Sequence, residues 1–579
     1  MYRITDIVPR GKAPIPLNIF TVIVGPNNAG KSQLLRDITL CASGRKEQMK
    51  VLEHVGIDIG RSAIELVTSL AAGLKANNAG QYFLDGAGIS LDENMSIQYF
   101  PNQLAQHTLS EDTARAFIAS SFVRQLLAYL TTEARLSFSK HKTNLHRPHN
   151  PGVTSLVEAL FQSSNSNEDE KWLSERIQQA FNIEVALDNF SDPGALEMRV
   201  ADSFVNLPRD DRARAREFMQ KCARLDEQGD GLRSFVATLG AAKSLSREVI
   251  LVDEPEAFLH PPQAFQMGKA LCGENFGGKQ IICSTHSADF LRGVIAARTD
   301  ITVIRISRGR NGQLVTSLSP EELKTIAGNH VLSSGRVLDG IFYRKVVITE
   351  SDGDAVLYGA LSTNDDRAGE TYYVNSYSKQ ATATVATPYK HMCVPHAAIV
   401  DIDLIRIAPE FLKVVQAFLK DTEEAVQLAA SVRSCIEATP SSDLVAKVIG
   451  HLEELPVKMA ELNLASAEKK LEWLKGRLSD LRAETSAWSK LKRFGVQSDL
   501  LNEKAKDDLK RLIHICADVG LFLVPVGERE SWLEPDVPYS KNKTAYTTRA
   551  LEYLASRKLG DDAPLSKFMN DLHAYLDTQ

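Results

Sequence analysis

Near the start of the chain, Gly25-Pro26-Asn27-Asn28-Ala29-Gly30-Lys31-Ser32 has the residue types and spacing that hold phosphate. Gly25 and Gly30 let the backbone curl, so that successive N–H groups and the start of the next helix face phosphate oxygens. Lys31 can neutralise β- and γ-phosphates, and the Ser32 hydroxyl can complete an Mg²⁺ shell. The preceding run, Phe20 to Val24, is apolar and β-rich, and a helical pattern comes after the loop. That is the strand–loop–helix context the GxxxxGK[ST] pattern requires, and it predicts a nucleoside triphosphate site. A chance glycine-rich turn before a core helix leaves the filled positions without a reason.

Further along, residues of matching chemistry sit at predicted strand ends. The apolar run Glu248 to Val252 ends in Asp253-Glu254-Pro255-Glu256. An aspartate at such a tip can hold Mg²⁺, and the adjacent glutamate can orient or deprotonate water. A third strand, Gln280 to Cys283, leads to His286, and ligands of parallel α/β sheets bind at this edge. Between these motifs, Gln228-Gly229-Asp230-Gly231-Leu232-Arg233-Ser234 opens a helix with its N–H groups aimed outward, a weak anion signal on its own.

The chain carries a second set of carboxylates. Lys345 to Thr349 is an apolar strand ending in Glu350-Ser351-Asp352-Gly353-Asp354, and Ala397 to Val400 ends in Asp401-Ile402-Asp403. Alternation along an extended tip turns Asp401 and Asp403 to one side. Carboxylates that converge repel unless they share cations, and an oxygen-rich set suits Mg²⁺ or Mn²⁺. Two such ions can activate water and stabilise the leaving oxygen of a phosphodiester. Surface carboxylates capping strands and helices are the plain alternative.

The first half resembles an ABC-type ATPase head of SMC-like and RecF-like proteins, through Gly25 to Ser32 (Walker A), Gly229 to Ser234 (signature-like), Asp253 and Glu254 (Walker B) and His286 (switch histidine). The string DEPEAFLHP is similar to ATPases of the OLD (overcoming lysogenisation defect) family. The second half resembles a Toprim domain, a fusion typical of OLD nucleases, Gabija-type defence nucleases included. The resemblance implies an α/β protein: a P-loop ATPase head over about 1–340 with helical insertions, then a Rossmann-like Toprim domain over about 341–579. It implies ATP and Mg²⁺ at the head, with Gly229 and Gly231 facing the phosphate loop of a second chain. At the Toprim site it implies Mg²⁺ or Mn²⁺ on Glu350, Asp354, Asp401, Asp403 and Glu530, with Glu528 the weaker choice for the last position. Lys379 falls where the family carries a GK-type turn, and Lys541 and Lys543 are candidates for a lysine near the scissile phosphate. Ser351 stands where Toprim domains usually carry glycine.

The implied activity is ATP-regulated, metal-dependent DNA cleavage in anti-phage defence. The implied partners are DNA, a second copy or larger homo-oligomer, and a further defence component, either a protein or a reverse transcriptase–DNA complex. The alternative is an ATP-switched scaffold whose Toprim-like half binds nucleic acid or a partner without cutting.

The elements that must position these residues fit a chain of 579 residues, long enough for roughly three to four structural units. Residues from about 45 to 225 read as largely helical, with a strand-like run at Ser96 to Phe100 and polar loops at His141 to Pro151 and Gln162 to Glu170. Arg209, Arg212, Arg214 and Arg216 read as a solvated helix face or as a DNA-backbone contact. A second helical insertion covers about 408–515. Within it Leu464, Ala467, Leu471, Leu474, Leu478, Leu481, Thr485 and Trp488 recur at steps of three and four, a seam for a helical hairpin or for a dimerisation arm. Hydrophobic content of 44% and charged content of 24% are those of a globular protein. A net charge of −6 does not mark a nucleic-acid binder and leaves room for a local basic groove. No run of about 18 uncharged apolar residues occurs, so no membrane partner is expected. The start of the chain lacks a signal-peptide apolar core, and seven singly spaced cysteines without a CxxC pair point to reduced thiols. The expected compartment is the cytoplasm.

Overall fold

The computed structural model describes the chain apart from residues 1, 73–79, 81, 84–97, 100, 141–142, 145–154, 164–165, 193, 310–311, 363–368, 439–448, 451, 454–470, 472–473, 475–486, 541 and 558. It divides into two compact units, Met1–Phe342 and Tyr343–Gln579.

In the first unit the apolar runs of the nucleotide motifs become strands buried throughout, apart from the half-buried Asp253 at one tip. Phe20–Val24, Val249–Asp253 and Gln280–Ser284 lie in one six-stranded sheet. From one edge to the other its order is Gly312–Leu318, Thr302–Gly309, Phe20–Val24, Gln280–Ser284, Val249–Asp253 and Leu127–Leu130. All neighbours run parallel except the antiparallel pair Thr302–Gly309 and Gly312–Leu318. Near-continuous apolar strands are what a parallel sheet covered on both faces requires. The register of the sheet sets Asp253 opposite Ser284, and Ser284 opposite Ile23.

The stretch 45–225 holds more strand than its polarity suggests. Leu52–Asp58 pairs with Arg3–Pro9, Leu127–Leu130 joins the central sheet, and Glu184–Asp188 pairs with Ala195–Ala201. Leu127–Leu130 is a four-residue apolar run and the others mix polar with apolar residues, so none is separable from a helix segment by periodicity alone. The arginine segment forms the helix Arg212–Lys221, capped by the Asp211 side chain. Arg212, Arg214 and Arg216 are exposed on it.

The second unit is built on a four-stranded parallel sheet, in the order Thr371–Asn375, Lys345–Thr349, His396–Val400, Leu521–Leu523. A core around Tyr358, Phe522, Trp532 and Phe568 packs beside it, and the buried Trp532 indole donates to the Tyr358 hydroxyl at 3.0 Å. Described parts of the insertion are helical: Ala408–Phe418, Glu423–Glu437, Ala487–Phe494 and Glu503–Ala517. Glu423–Glu437 packs on Glu503–Ala517, and Ala487–Phe494 lies against the 3-10 turn Ile402–Arg406. Of the proposed seam, Leu464, Ala467, Leu478, Leu481 and Thr485 lie outside the described residues, while Leu471 is 53% exposed. Among the described residues no helix is long and apolar enough to cross a membrane.

One packing contact leaves no slack. The helices Pro261–Gly273 and Ala288–Ala297 meet through glycines, where a Cβ at Gly268 would stand 2.2 Å from the Phe290 carbonyl oxygen and one at Gly293 would stand 2.0 Å from that of Phe265. Both obstacles are backbone, which cannot rotate aside. Gly293→Ala is therefore expected to destabilise the first unit by about 1–3 kcal/mol, read as a lower urea midpoint in equilibrium unfolding.

Candidate functional site

The phosphate loop takes the conformation its glycines permit. Gly25 and Gly30 have φ of 142° and 108°, and Asn28 sits at 63°. Side chains are excluded twice over, since a Cβ on Gly25 would lie 2.0 Å from the Ile306 carbonyl oxygen. The loop opens onto a cavity of about 730 Å³, bordered beyond the loop by Arg10, Arg36, Lys50 and Arg308. Lys31, the first residue of the helix Lys31–Ala42, donates from Nζ to the carbonyls of Gly25 at 2.9 Å and Pro26 at 3.1 Å. Burial lowers its pKa, while the carboxylates of Glu254, Glu256 and Asp253 work in the other direction. On the same helix the buried Asp37 carboxylate accepts from the N–H groups of Lys50, Val51 and Leu52 at 3.0, 2.6 and 2.9 Å. It thereby fixes the cavity wall formed by Lys50 and Val51.

The register of the sheet brings the second motif to the first. Asp253 Oδ1 accepts from Ser32 Oγ at 2.9 Å and from Ser284 Oγ, and Tyr129 donates to its other oxygen at 3.3 Å. A hydroxyl and a carboxylate side by side at the foot of a phosphate loop are the protein donors an octahedral Mg²⁺ takes beside nucleotide oxygens and water. The residues fit that ion. Next in sequence, Glu254 has φ 50° and borders the cavity. His286 Nδ1 lies 3.3 Å from both Glu254 Oε1 and Glu256 Oε1. Its hydrogen bond to Glu254 raises the imidazole pKa above the usual histidine value and holds the Glu254 carboxyl below its own. Glu256 is buried, accepts from Thr285 Oγ1 at 2.7 Å and from the His286 N–H at 2.9 Å, and burial raises its pKa.

The signature-like turn stands apart from this cavity. Gly229 caps the helix Asp230–Ser244 with ordinary φ −61°, and a Cβ there would meet nothing. At Gly231 a Cβ would come 2.6 Å from the Phe258 carbonyl oxygen, so this glycine serves close packing.

In the second unit the sheet ends gather the carboxylates, in a different arrangement from the one the spacing predicts. Asp401 ends its strand, but Ile402–Arg406 is a 3-10 turn, so Asp403 reaches the same side by a tight turn and not by strand alternation. Glu350 accepts the Asp401 N–H at 2.9 Å. Lys492, from the helix Ala487–Phe494, sets its ammonium 2.9 Å from Asp401, 3.5 Å from Asp403 and 3.8 Å from Glu528. Lys379 pairs with Asp403 at 3.0 Å. Asp354 is held on both oxygens, by Arg529 at 3.1 Å and by the N–H and hydroxyl of Ser351 at 2.9 and 2.7 Å. Glu530 turns to Arg529 at 2.7 Å and is 2% exposed. Glu528, the weaker choice by sequence, is the residue beside Lys492. Lys543 begins the helix Lys543–Ser556 and is exposed; Lys541 lies outside the described residues.

These residues as arranged do not fit shared divalent ions. The place between Asp401, Asp403 and Glu528 is taken by an ammonium, and Arg529 takes Asp354 and Glu530. Among the described residues no group of three His, Cys, Asp or Glu side chains is arranged to hold a metal. The charge is nonetheless uneven. Burial, then the neighbouring Asp401 charge, pushes Glu350 up to about 8, and burial pushes Glu528 up to about 7. Burial also raises Asp401, partly offset by Lys492. At Asp403 burial is outweighed, and Lys492 and Lys379 hold its carboxyl below the usual range.

A family model described as "AAA domain, putative AbiEii toxin, Type IV TA system" matches residues 219–292, the span holding the signature-like turn, Asp253, Glu254 and His286. Over that span the first unit is similar to AAA domains, and the phosphate loop Gly25 to Ser32 lies outside the matched residues. No curated protein matches the chain. Among solved structures it is similar to the Smc head bound to the C-winged helix domain of ScpA, at 17% identity over 56% of this chain and 99% of that one, with a TM-score of 0.32. It is similar also to the SMC head domain from Thermotoga maritima, at 12% identity over 55% and 99% of the two chains, TM-score 0.29. A third is an RNase-L Inhibitor, at 10% identity over 56% and 44%, TM-score 0.25.

Sequence reasoning missed Tyr129, Arg135, Glu256 as a partner of His286, Lys492 and Arg529. Lys492 and Arg135 sit in ordinary amphipathic helices and carry no motif. Removing Lys492 leaves buried carboxylates facing one another. The folded-state pKa values of Glu350, Asp401 and Glu528, already raised, then lie further above the unfolded ones, so stability is kept at low pH and lost as pH rises through the raised values. Lys492→Ala is expected to cost about 3–5 kcal/mol at pH 8 and clearly less at pH 5, measured by urea unfolding of the full chain at both pH values.

Proposed function

We propose that this chain is an Mg²⁺-dependent ATP hydrolase acting as a nucleotide-driven switch. Two copies close on ATP, and the second unit is an OLD-type, Toprim-like domain that engages DNA without cutting it. The observation that carries the reading is the convergence of Ser32, Asp253, Glu254 and His286 on one side of a single phosphate loop. Ser32 and Asp253 would hold Mg²⁺, and the ion when bound supplies charge neutralisation across the β- and γ-phosphate oxygens. Lys31 adds a second positive charge from the loop. Glu254, ionised and hydrogen-bonded to His286, accepts the proton of the attacking water. His286 in turn orients Glu254 and is itself oriented by the buried Glu256. The signature-like turn, set away from its own phosphate loop, is free to face that of a second copy.

Glu254→Gln tests this directly. It is expected to keep ATP affinity, to lower turnover by about 100-fold or more, and to accumulate an ATP-bound dimer in light scattering. Turnover equal to that of the unaltered protein removes the assignment of Glu254.

A second reading, a metal-dependent DNA endonuclease of the OLD type in anti-phage defence, is favoured by one observation. Among the described residues the cations paired with Asp354, Asp401, Asp403, Glu528 and Glu530 are Lys379, Lys492 and Arg529, fewer than the carboxylates gathered there, Glu350 included. Cutting would need Lys492 withdrawn from the carboxylates. Supercoiled plasmid incubated with Mg²⁺ or Mn²⁺, with and without ATP, decides between the two. Nicking that is lost in Asp401→Ala and in chelator supports the nuclease; intact plasmid under every condition supports the non-cutting switch.

A further inference from the structure

One arginine of the first unit has all its hydrogen-bonding capacity taken up around the Asp253–Glu254 turn, although no motif contains it. Arg135 lies in the short helix Thr132–Phe138, which comes after the strand beside the Asp253 strand, and it is fully buried. A guanidinium has five N–H donors in a fixed fork, and here every one has an acceptor. Nη1 donates to the carbonyls of Asp253 at 2.6 Å and Leu130 at 3.1 Å. Nη2 donates to the Glu254 carbonyl at 2.8 Å and to Thr132 Oγ1 at 3.3 Å. Nε donates to Ser234 Oγ at 3.1 Å.

Such a placement is unfavourable in itself, because the cation is desolvated while its direct acceptors are neutral oxygens. Burial lowers the guanidinium pKa to about 10, against the opposing charges of Glu256, Asp253 and Glu254. Packing alone would be served better by an apolar side chain. What the arginine does provide is a rigid hold on two consecutive carbonyls at the point where the strand ends. Glu254 there adopts φ 50°, a left-handed conformation that costs a non-glycine residue of order 1–3 kcal/mol and persists only where the surroundings enforce it. That backbone state decides where the Glu254 carboxylate points. The same guanidinium also lowers the Glu254 pKa as one of several charges. Through Ser234 it is tied to the helix that the signature-like turn opens.

We infer that Arg135 is a positioning residue for ATP hydrolysis: it locks the Asp253–Glu254 turn so that Glu254 faces the nucleotide, and it joins that turn to the helix Asp230–Ser244. A contact made at the start of that helix is then felt at the base that handles water. The inference rests on the ATPase reading and is independent of what the second unit does.

The test uses the full chain, with turnover and nucleotide affinity measured together. Arg135→Lys keeps the charge and loses the fork; it is expected to lower kcat by about ten-fold or more, with ATP affinity within about three-fold of the unaltered protein. Arg135→Gln also removes the charge and is expected to lower kcat at least as far, again with ATP affinity little changed. Because Arg135 acts through Glu254, adding Arg135→Lys to Glu254→Gln causes no further loss. Should the arginine variants fail to fold, Ser234→Ala removes one neutral acceptor only, and a smaller kcat loss with the same non-additivity is expected. Unchanged kcat in Arg135→Lys, or an equal loss on the Glu254→Gln background, overturns the inference. Failure of the unaltered protein to hydrolyse ATP would instead remove the ATPase reading and this inference with it.

Discussion

Parallel pairing of three strands at one fixed register is the constraint on which the nucleotide site depends. With Asp253 opposite Ser284 and Ser284 opposite Ile23, three loops leave the sheet at one level. The Ser32 hydroxyl then meets the Asp253 carboxylate, and the His286 ring meets Glu254 and Glu256. A slip of one residue in any of the strands would turn the chemistry-bearing side chains to the other face. The buried apolar residues that enforce the register, such as Val22, Ile250 and Ile282, therefore contribute to function without touching a ligand.

The two units solve the problem of concentrated acidity in opposite ways. In the first, Asp253, Glu254 and Glu256 are spread among hydroxyls, a histidine and a cavity mouth, and Asp253 keeps a hydroxyl partner suited to Mg²⁺. In the second, ammonium and guanidinium groups are already among the carboxylates. Ser351 contributes to this second solution. Its N–H and hydroxyl clasp Asp354.

The parts legible in the sequence were those where backbone geometry demands particular residues. Gly25 and Gly30 announce a loop with positive φ, and apolar runs such as Val249 to Val252 announce a buried parallel strand. Coming together of Glu350, Asp401 and Asp403 was legible too, since strand ends of one sheet share an edge. The counter-charges were not, because Lys492 arrives from a helix remote in sequence and Arg135 from one without a distinctive pattern. Nor was the choice between Glu528 and Glu530, which turns on a single 3-10 turn, Arg529–Ser531. The strands hidden between 45 and 225 were lost for a related reason, since pairs as short as Glu184–Asp188 gain their identity only from a partner strand.

Asp37 gives the nucleotide site a mechanical property. Its carboxylate grips three successive N–H groups of the segment Lys50 to Leu52, and that segment leads straight into the strand Leu52–Asp58 of the small sheet with Arg3–Pro9. The helix carrying Lys31 is thus bolted at mid-length to a separate sheet. Three hydrogen bonds to one carboxylate couple the seat of the phosphate loop to the small sheet.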